Sequence, residues 1–195
     1  IATAVGEGTT LAVQSEPRGT GDALRCAAAA LAGQAQHILV AGADSPLIQG
    51  ETLRQMVERH SQMAATVTLL TSTLCPPQGL GHVLRGPSGE ITSIVEEKEA
   101  NPTTLAVAET NSGIYCFDAS WLWPALERLR PGPSGEVYLT ELIAMARQES
   151  RGVEPRSTEP SMWQRGPTTQ SAITVFGTRR HCVPTAVFPR MEVPG

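Results

Sequence analysis

An unbroken apolar run marks the stretch His37–Asp44 (HILVAGAD), which is followed at once by Ser45 and Pro46. Apolar runs without alternation are typical of parallel strands that are buried on both faces of a sheet. The pattern therefore predicts the end of a helix from Gly33 and then a buried parallel strand whose carboxyl end meets a loop.

After this run, segments with the apolar spacing of a helix alternate with segments typical of a strand. Apolar residues at helical spacing predict a helix over Glu51–Ala64, and β-branched residues predict a strand over Ala65–Thr71. The turn sequence GPSG predicts a β-hairpin between His82–Arg85 and Glu90–Glu96, beside the main sheet. The other predicted elements are a strand over Leu105–Phe117 and helices over Ser120–Leu129 and Tyr138–Ser150. This alternation predicts a doubly wound fold of the α/β class with an inserted hairpin.

The pattern changes from about Val153 onward. Six of the fifteen prolines fall in the last 43 residues, and Ala172–Phe176 is the only clear strand period there. Because proline breaks helices and cannot serve a central strand, we expect a domain over residues 1–152 and a poorly ordered Pro/Arg-rich tail over residues 153–195. A second small domain is the alternative.

Composition narrows the class of protein. With 195 residues and 41% hydrophobic content, one domain is expected, and a net charge of -4 gives no basic stripe for a nucleic-acid partner. The four cysteines lack metal-site spacing, which favours a reducing cytoplasm over a zinc site or a disulfide framework. No stretch approaches the roughly 20 apolar residues that a membrane helix needs. The first residue is Ile1, which suggests a fragment or a processed product.

Asp44 is a candidate metal ligand. Ligands in open α/β sheets bind at the carboxyl edge of the strands, and Mg²⁺ often takes one or two protein carboxylates plus phosphate oxygens. The alternative is that Asp44 caps a helix that begins near Leu47, with Pro46 in its first turn.

The string VQSEPRGTGDAL carries a second candidate site. Gln14 ends a short apolar stretch, and Gly19 and Thr20 lead into an alanine-rich helix. A glycine turn that opens a helix exposes backbone N–H groups to an oxygen-rich ligand such as a nucleobase edge or a phosphate. The alternative is that Thr20 or Asp22 simply caps the helix.

The chain contains six short sequence strings in a characteristic order: QSEPRGTGDA, GADSPL, GLGHV, IVEEKEAN, ETNSGIYCF and GEVYLTELI. Together they resemble the uridylyltransferase domain of bacterial bifunctional N-acetylglucosamine-1-phosphate uridyltransferases (GlmU), over roughly Val13–Gly152. The resemblance implies a Rossmann-like nucleotide-diphospho-sugar transferase fold with an inserted β-hairpin, incomplete at the N-terminus. It also implies formation of UDP-N-acetylglucosamine, a peptidoglycan precursor, from UTP and N-acetylglucosamine 1-phosphate with Mg²⁺.

The resemblance implies roles for nine residues. Those expected to hold the uracil are Gln14, Gly19 and Thr20. Those expected to line the ribose and metal region are Gly42, Ala43 and Asp44, with Asp44 binding Mg²⁺ and serving catalysis. Those expected to bind the sugar are Gly81 through its backbone N–H, Glu96 through the hydroxyls and Asn111 near the N-acetyl group.

Simpler explanations exist for the three sugar residues. Gly81 could be only a loop glycine, Glu96 only an exposed charge beside Lys98, and Asn111 only a turn residue before Gly113. The order and spacing of the six strings, and not any single string, favour the binding roles.

The chain also departs from the family. The family's glycine-rich loop, with the cations that hold the triphosphate, would lie upstream of Ile1, and its second metal ligand, an asparagine in a GVNN-type string, has no counterpart. Losing one such contact typically costs about 10² to 10³ in rate, so we expect little or no activity from this exact chain. The alternatives are another sugar-1-phosphate nucleotidyltransferase and a non-catalytic sugar-nucleotide-binding module. The sequence does not predict the oligomeric state.

Overall fold

A single mixed sheet organises the computed structural model, which describes residues 10–42, 45, 48–73, 79–158, 173–178 and 183–189. The strands are β1 (Thr10–Gln14), β2 (His37–Gly42), β3 (Val67–Thr73), β4 (His82–Arg85), β5 (Ile91–Val95), β6 (Glu109–Asp118), β7 (Val153–Ser157), β8 (Ile173–Thr178) and β9 (Val183–Pro189). The helices are α1 (Thr20–Leu31), α2 (Gly50–Gln62), α3 (Pro102–Leu105), α4 (Ala119–Arg128) and α5 (Glu141–Gln148). The order in the sheet is β1-β9-β8-β2-β6-β3-β7, and the β4–β5 hairpin joins it through β6.

The predicted hairpin and the predicted central helices are confirmed, with shifts at their ends. The strand predicted from Leu105 begins at Glu109, because Asn101 starts the short helix α3 instead. The Asn101 side chain accepts a hydrogen bond from the Thr104 backbone N–H, and Pro102 occupies the first turn. Both features are typical of a helix start.

The prediction that β2 is a parallel strand is wrong. β2 pairs antiparallel with β6 on one side and antiparallel with β8 on the other. Its residues Ile38–Ala41 are all buried, which explains the unbroken apolar run. The run reports burial on both faces of the sheet, but it does not report the direction of the neighbouring strands.

The described part of the predicted tail differs from the expectation, because it consists of strands of the main sheet. β7 pairs parallel with β3, and Gly152 O accepts hydrogen bonds from the N–H groups of Thr66 and Val67 at 3.0 and 3.1 Å. β8 and β9 form an antiparallel pair between β2 and β1. Pro155 is tolerated because β7 lies at the end of the sheet, where one edge needs no N–H donor.

Two apolar clusters pack on opposite faces of the sheet. Ile38 and Val40 pack with side chains of α1, α4 and α5, on what we call the α1 side. Leu39 and Ala41 pack with Met56 of α2, on the α2 side. The alternation along β2 thus gives each face its own core.

Two further observations on the described residues concern membrane-spanning helices and cysteines. None of their helices is long and apolar enough to cross a membrane. Cys26 and Cys116 are free thiols, and burial raises the pKa of Cys116 to about 12. The Cys116 thiol therefore stays protonated at neutral pH and belongs to the core.

Candidate functional site

A line of contacts joins the two groups of predicted binding residues on the α1 side of the sheet. We call it the contact strip. Its members, in spatial order, are Gln14, Gly19, Thr20, Thr140, Glu96, Gly81 and Asn111.

Gln14 forms one end of the contact strip. It is the last residue of β1 and is 3% exposed. Its side-chain Nε2 donates to Gly19 O at 3.2 Å and to Asp22 Oδ2 at 2.8 Å. These bonds fix the end of β1 against the first turn of α1.

The glycine turn is held by backbone contacts with Val137. Gly19 has φ of 100°, and a Cβ at this position would lie 2.6 Å from Val137 O. The Gly21 N–H donates to the same oxygen at 2.8 Å, and the Val137 N–H donates to Arg18 O at 2.8 Å. The expectation that this turn offers its N–H groups to a ligand is therefore wrong for Gly21.

The capping alternative for this turn is also wrong. α1 has Gly19 at its N-cap and no side-chain capping hydrogen bond. The Thr20 hydroxyl oxygen accepts instead from the Leu139 N–H at 3.0 Å. Thr20 thus fastens the start of α1 to the segment that leads into α5.

Thr140 links the two halves of the contact strip, and sequence reasoning missed it. It follows Leu139, is 4% exposed, and donates its hydroxyl hydrogen to Glu96 Oε1 at 2.9 Å. A threonine just before a helix predicts a cap, yet this hydroxyl makes no capping bond to α5. Thr140 lies within the string GEVYLTELI, and this was the one feature of the sequence that could have indicated a role for it.

The three predicted sugar residues lie side by side. Asn111 N–H donates to Gly81 O at 2.9 Å, and a Cβ at Gly81 would lie 3.6 Å from Glu96 Oε2. The same Cβ would lie only 2.7 Å from Ile94 Cγ2, so the position requires glycine. Gly81, the residue before β4, thus contacts Asn111 through its backbone and faces the Glu96 carboxylate without a side chain of its own.

A bulge in β6 orients Asn111. Leu69 pairs with Tyr115 and Thr71 pairs with Asn111, so two steps along β3 match four along β6. Gly113 lies inside this irregularity with φ of 76°, and its N–H donates to Asn111 Oδ1 at 3.1 Å. Bulges commonly re-aim side chains beside binding sites. Asn111 therefore has the local turn contact of the simpler explanation and also stands in the contact strip.

An ion pair braces the hairpin that carries Gly81. Arg85 in β4 donates to both carboxylate oxygens of Glu109 in β6, at 2.7 and 2.8 Å. The hydrogen bond from the Arg85 guanidinium holds the pKa of Glu109 below its usual value. The pair fixes β4 against β6 a few residues from the sugar residues.

The predicted metal region is described only in part. Gly42 ends β2, and its carbonyl accepts from the Ser45 N–H at 3.3 Å, while Ala43 and Asp44 lie outside the described residues. The described residues include no group of three or more His, Cys, Asp or Glu that could hold a metal ion. α2 begins at Gly50 with Gln49 at its N-cap, so the capping alternative for Asp44 does not apply to this helix.

Comparison with known proteins gives the family. A sequence profile of the nucleotidyl transferase family matches residues 3–164. The bifunctional protein GlmU of Geobacter sulfurreducens is 46% identical over 138 residues, which are 70% of this chain and 29% of that protein. The corresponding protein of Mycobacterium marinum is 37% identical over 163 residues, 83% of this chain and 33% of that protein. The chain thus spans about a third of the length of these curated relatives.

A solved structure shares the fold. The crystal structure of UDP-glucose pyrophosphorylase complexed with UDP-glucose aligns with a TM-score of 0.58 at 16% identity, covering 73% of this chain and 55% of that chain. The predicted Rossmann-like nucleotide-sugar transferase fold is therefore confirmed. With the family profile spanning most of its length, the chain belongs to the nucleotidyl transferase family.

Proposed function

We propose that the contact strip binds the nucleotide and sugar halves of a sugar nucleotide, for uridylyl transfer from UTP to N-acetylglucosamine 1-phosphate. The products would be UDP-N-acetylglucosamine and pyrophosphate. One observation carries the proposal: the residues predicted for uracil and those predicted for the sugar are joined contact by contact through Thr20, Leu139, Thr140 and Glu96.

The nucleobase end would be built on Gln14, Gly19 and Thr20. A uracil edge presents alternating donors and acceptors. The Gln14 amide oxygen can accept from a uracil N–H, while its two N–H groups are used by Gly19 and Asp22, and the Thr20 hydroxyl can donate to a uracil carbonyl. The bonds from Gln14 to Gly19 O and Asp22 hold this side chain in place before any ligand arrives. Such fixed polar groups bind without further ordering cost.

The sugar end would be built on Gly81, Glu96 and Asn111. The Glu96 carboxylate accepts hydrogen bonds from hydroxyls, while the Asn111 amide both donates and accepts. Gly81 allows a sugar ring to approach the backbone just before β4, because it carries no side chain. This donor and acceptor set suits a hydroxylated sugar with an amide substituent.

The reaction needs no covalent protein nucleophile. The sugar phosphate oxygen would attack the α-phosphorus of UTP, a P–O bond would form there, and pyrophosphate would leave. The role of this chain is to hold both substrates in line, which alone can supply several kcal/mol of barrier lowering. Asp44 is the residue that we propose for Mg²⁺, which when bound would neutralise phosphate charge. We also propose a cytoplasmic location, consistent with the free thiols of Cys26 and Cys116.

Calorimetric titration with UDP-N-acetylglucosamine tests the proposal, with and without Mg²⁺. Asn111→Ala should weaken binding about tenfold or more, since it removes a buried amide of the sugar end. Asn101→Ala is the matched control, because Asn101 also bonds a backbone N–H but lies outside the contact strip. Asp44→Ala should remove only the Mg²⁺-dependent part of the affinity.

Two results would overturn the proposal. One is that a folded wild-type chain binds no UDP-N-acetylglucosamine. The other is that Asn111→Ala and Asn101→Ala bind it equally well. Competition with UDP-glucose and with other nucleoside diphosphate sugars separates this function from that of a related sugar-1-phosphate nucleotidyltransferase.

A further inference from the structure

Tyr115 lies four residues after Asn111 in β6 and contacts the Asn111 side chain. It belongs to β6, where it pairs with Val40 and Leu69, and it is 3% exposed. Its ring stacks on Phe117, with centroids 5.5 Å apart and an interplanar angle of 26°. The phenol oxygen accepts a hydrogen bond from Asn111 Nδ2 at 2.5 Å.

The Asn111 amide is held at both of its ends. The Gly113 N–H can only donate, so the atom that faces it must be the amide oxygen Oδ1. Nδ2 then faces the Tyr115 oxygen. One N–H hydrogen and one oxygen lone pair of the amide are left over from these two bonds. Their directions are set by Gly113 and Tyr115 together.

We propose that Tyr115 is a positioning residue that fixes the Asn111 amide and so makes the site prefer an N-acetylated sugar over a plain hexose. This inference rests on the proposed function. The N–H and the carbonyl of a trans acetamido group point in opposite directions, so the fixed amide meets one of them. The carbonyl oxygen lies further from the sugar ring than a hydroxyl oxygen would and can accept from the remaining Nδ2–H of Asn111. A hydroxyl at the same carbon places its oxygen nearer to the ring, so it meets the fixed Nδ2–H less well and leaves that buried donor partly unpaired.

Removing the phenol oxygen should therefore weaken the discrimination between the two sugar nucleotides while leaving the chain folded. Tyr115→Phe keeps the ring on Phe117 but leaves the amide anchored only through Gly113. The acetamido carbonyl depends on the direction of the remaining Nδ2–H, which Tyr115 sets, so the acetamido ligand loses more affinity than the hydroxyl ligand does. We expect the ratio of UDP-N-acetylglucosamine to UDP-glucose affinities to fall about three- to tenfold.

The experiment uses the full chain and two readouts. The first is calorimetric titration of wild type, Tyr115→Phe and Ser112→Ala with both sugar nucleotides. Ser112→Ala is the matched control, because it removes a buried hydroxyl bond to Leu70 O from the residue next to Asn111. The affinity ratio should fall only in Tyr115→Phe. In an Asn111→Ala background, Tyr115→Phe should change the ratio no further, because its effect passes through Asn111.

The second readout needs no ligand. Nuclear magnetic resonance can detect the Asn111 side-chain NH₂ group, whose signal is assigned from its loss in Asn111→Ala. In Tyr115→Phe this signal should show a more mobile side chain and faster hydrogen exchange with water. An unchanged affinity ratio or an unchanged amide signal in Tyr115→Phe would overturn the inference. If the wild type binds neither sugar nucleotide, the proposed function and the discrimination both fail. The amide signal still decides whether Tyr115 holds Asn111.

Discussion

At the scale of single residues, two glycines with positive φ differ in what an added side chain would meet. Gly19 and Gly33 both have positive φ, 100° and 73°, but a Cβ would meet Val137 O at 2.6 Å at Gly19 and nothing within 4 Å at Gly33. Gly33→Ala should cost about 1 kcal/mol of unfolding free energy. Gly19→Ala should cost clearly more, since Val137 must move and since φ of 100° with ψ of 174° is a conformation essentially restricted to glycine. Urea unfolding of both variants measures the difference, and equal costs would mean that the Val137 contact yields easily.

His60 predicts a second residue-scale effect, on acid stability. It is fully buried, with Nδ1 2.9 Å from Thr68 Oγ1 and its ring edge-on to His37 at 4.8 Å between centroids. Burial, with a further contribution from His37, lowers the pKa of His60 to about 4, against a smaller opposing effect of Asp118.

The sign of that effect follows from proton uptake. Between pH 6.5 and about 4 the unfolded chain binds a proton at His60 that the folded chain does not, so the unfolding free energy falls as the pH falls through this window. His60→Gln can keep a bond to Thr68 and does not titrate. Urea unfolding at several pH values should therefore give a smaller loss for His60→Gln, and an identical loss would refute this account.

At the scale of elements, the ion pair between β4 and β6 should matter more than an ion pair within a helix. Arg85 and Glu109 are only 34% and 21% exposed and join two strands, whereas Arg54 pairs with Glu51 on the exposed face of α2. Arg85→Ala should cost about 1 kcal/mol or slightly more of unfolding free energy, and Arg54→Ala clearly less, because solvent screens its exposed ion pair.

The same pair of variants also tests whether β4 holds the sugar end of the contact strip. Only Arg85→Ala should weaken the binding of UDP-N-acetylglucosamine in titration calorimetry, because β4 follows directly on Gly81. Equal affinities for the two variants would show that the hairpin keeps its place without the ion pair.

Element by element, the sequence predicted local structure better than it predicted pairing. The periods of α2, α4 and α5 and the GPSG turn of the β4–β5 hairpin are properties of neighbouring residues, so they are visible in one segment. The direction of β2 depends on β6 and β8, which lie far away along the chain.

The same difference between local and long-range information applies to the contact strip. Resemblance indicated Glu96, Gly81 and Asn111, and the structure places them together. The bonds from Thr140 to Glu96 and from Asn111 to Tyr115 depend on packing and were not predictable from the strings.

At the scale of the whole molecule, β8 and β9 connect the two ends of the contact strip. β1, which carries Gln14, pairs with β9, and β8 pairs with β2, so the nucleobase end reaches the rest of the sheet through these two strands. Val175 of β8 pairs with Val40 and is fully buried in the core of the α1 side. Removing this contact should therefore affect both the stability of the sheet and the position of Gln14.

A matched pair of valine substitutions tests that arrangement. Val175→Asp would bury an unpaired carboxylate and should cost at least about 3 kcal/mol of unfolding free energy. Val13→Asp makes the same change on β1 at a side chain that is 65% exposed, so it should cost about 0.5 kcal/mol or less. Urea unfolding and titration with UDP-N-acetylglucosamine should separate the two variants. If Val175→Asp behaves like Val13→Asp, then the position of β8 between β9 and β2 is wrong, and another segment must connect β1 to β2.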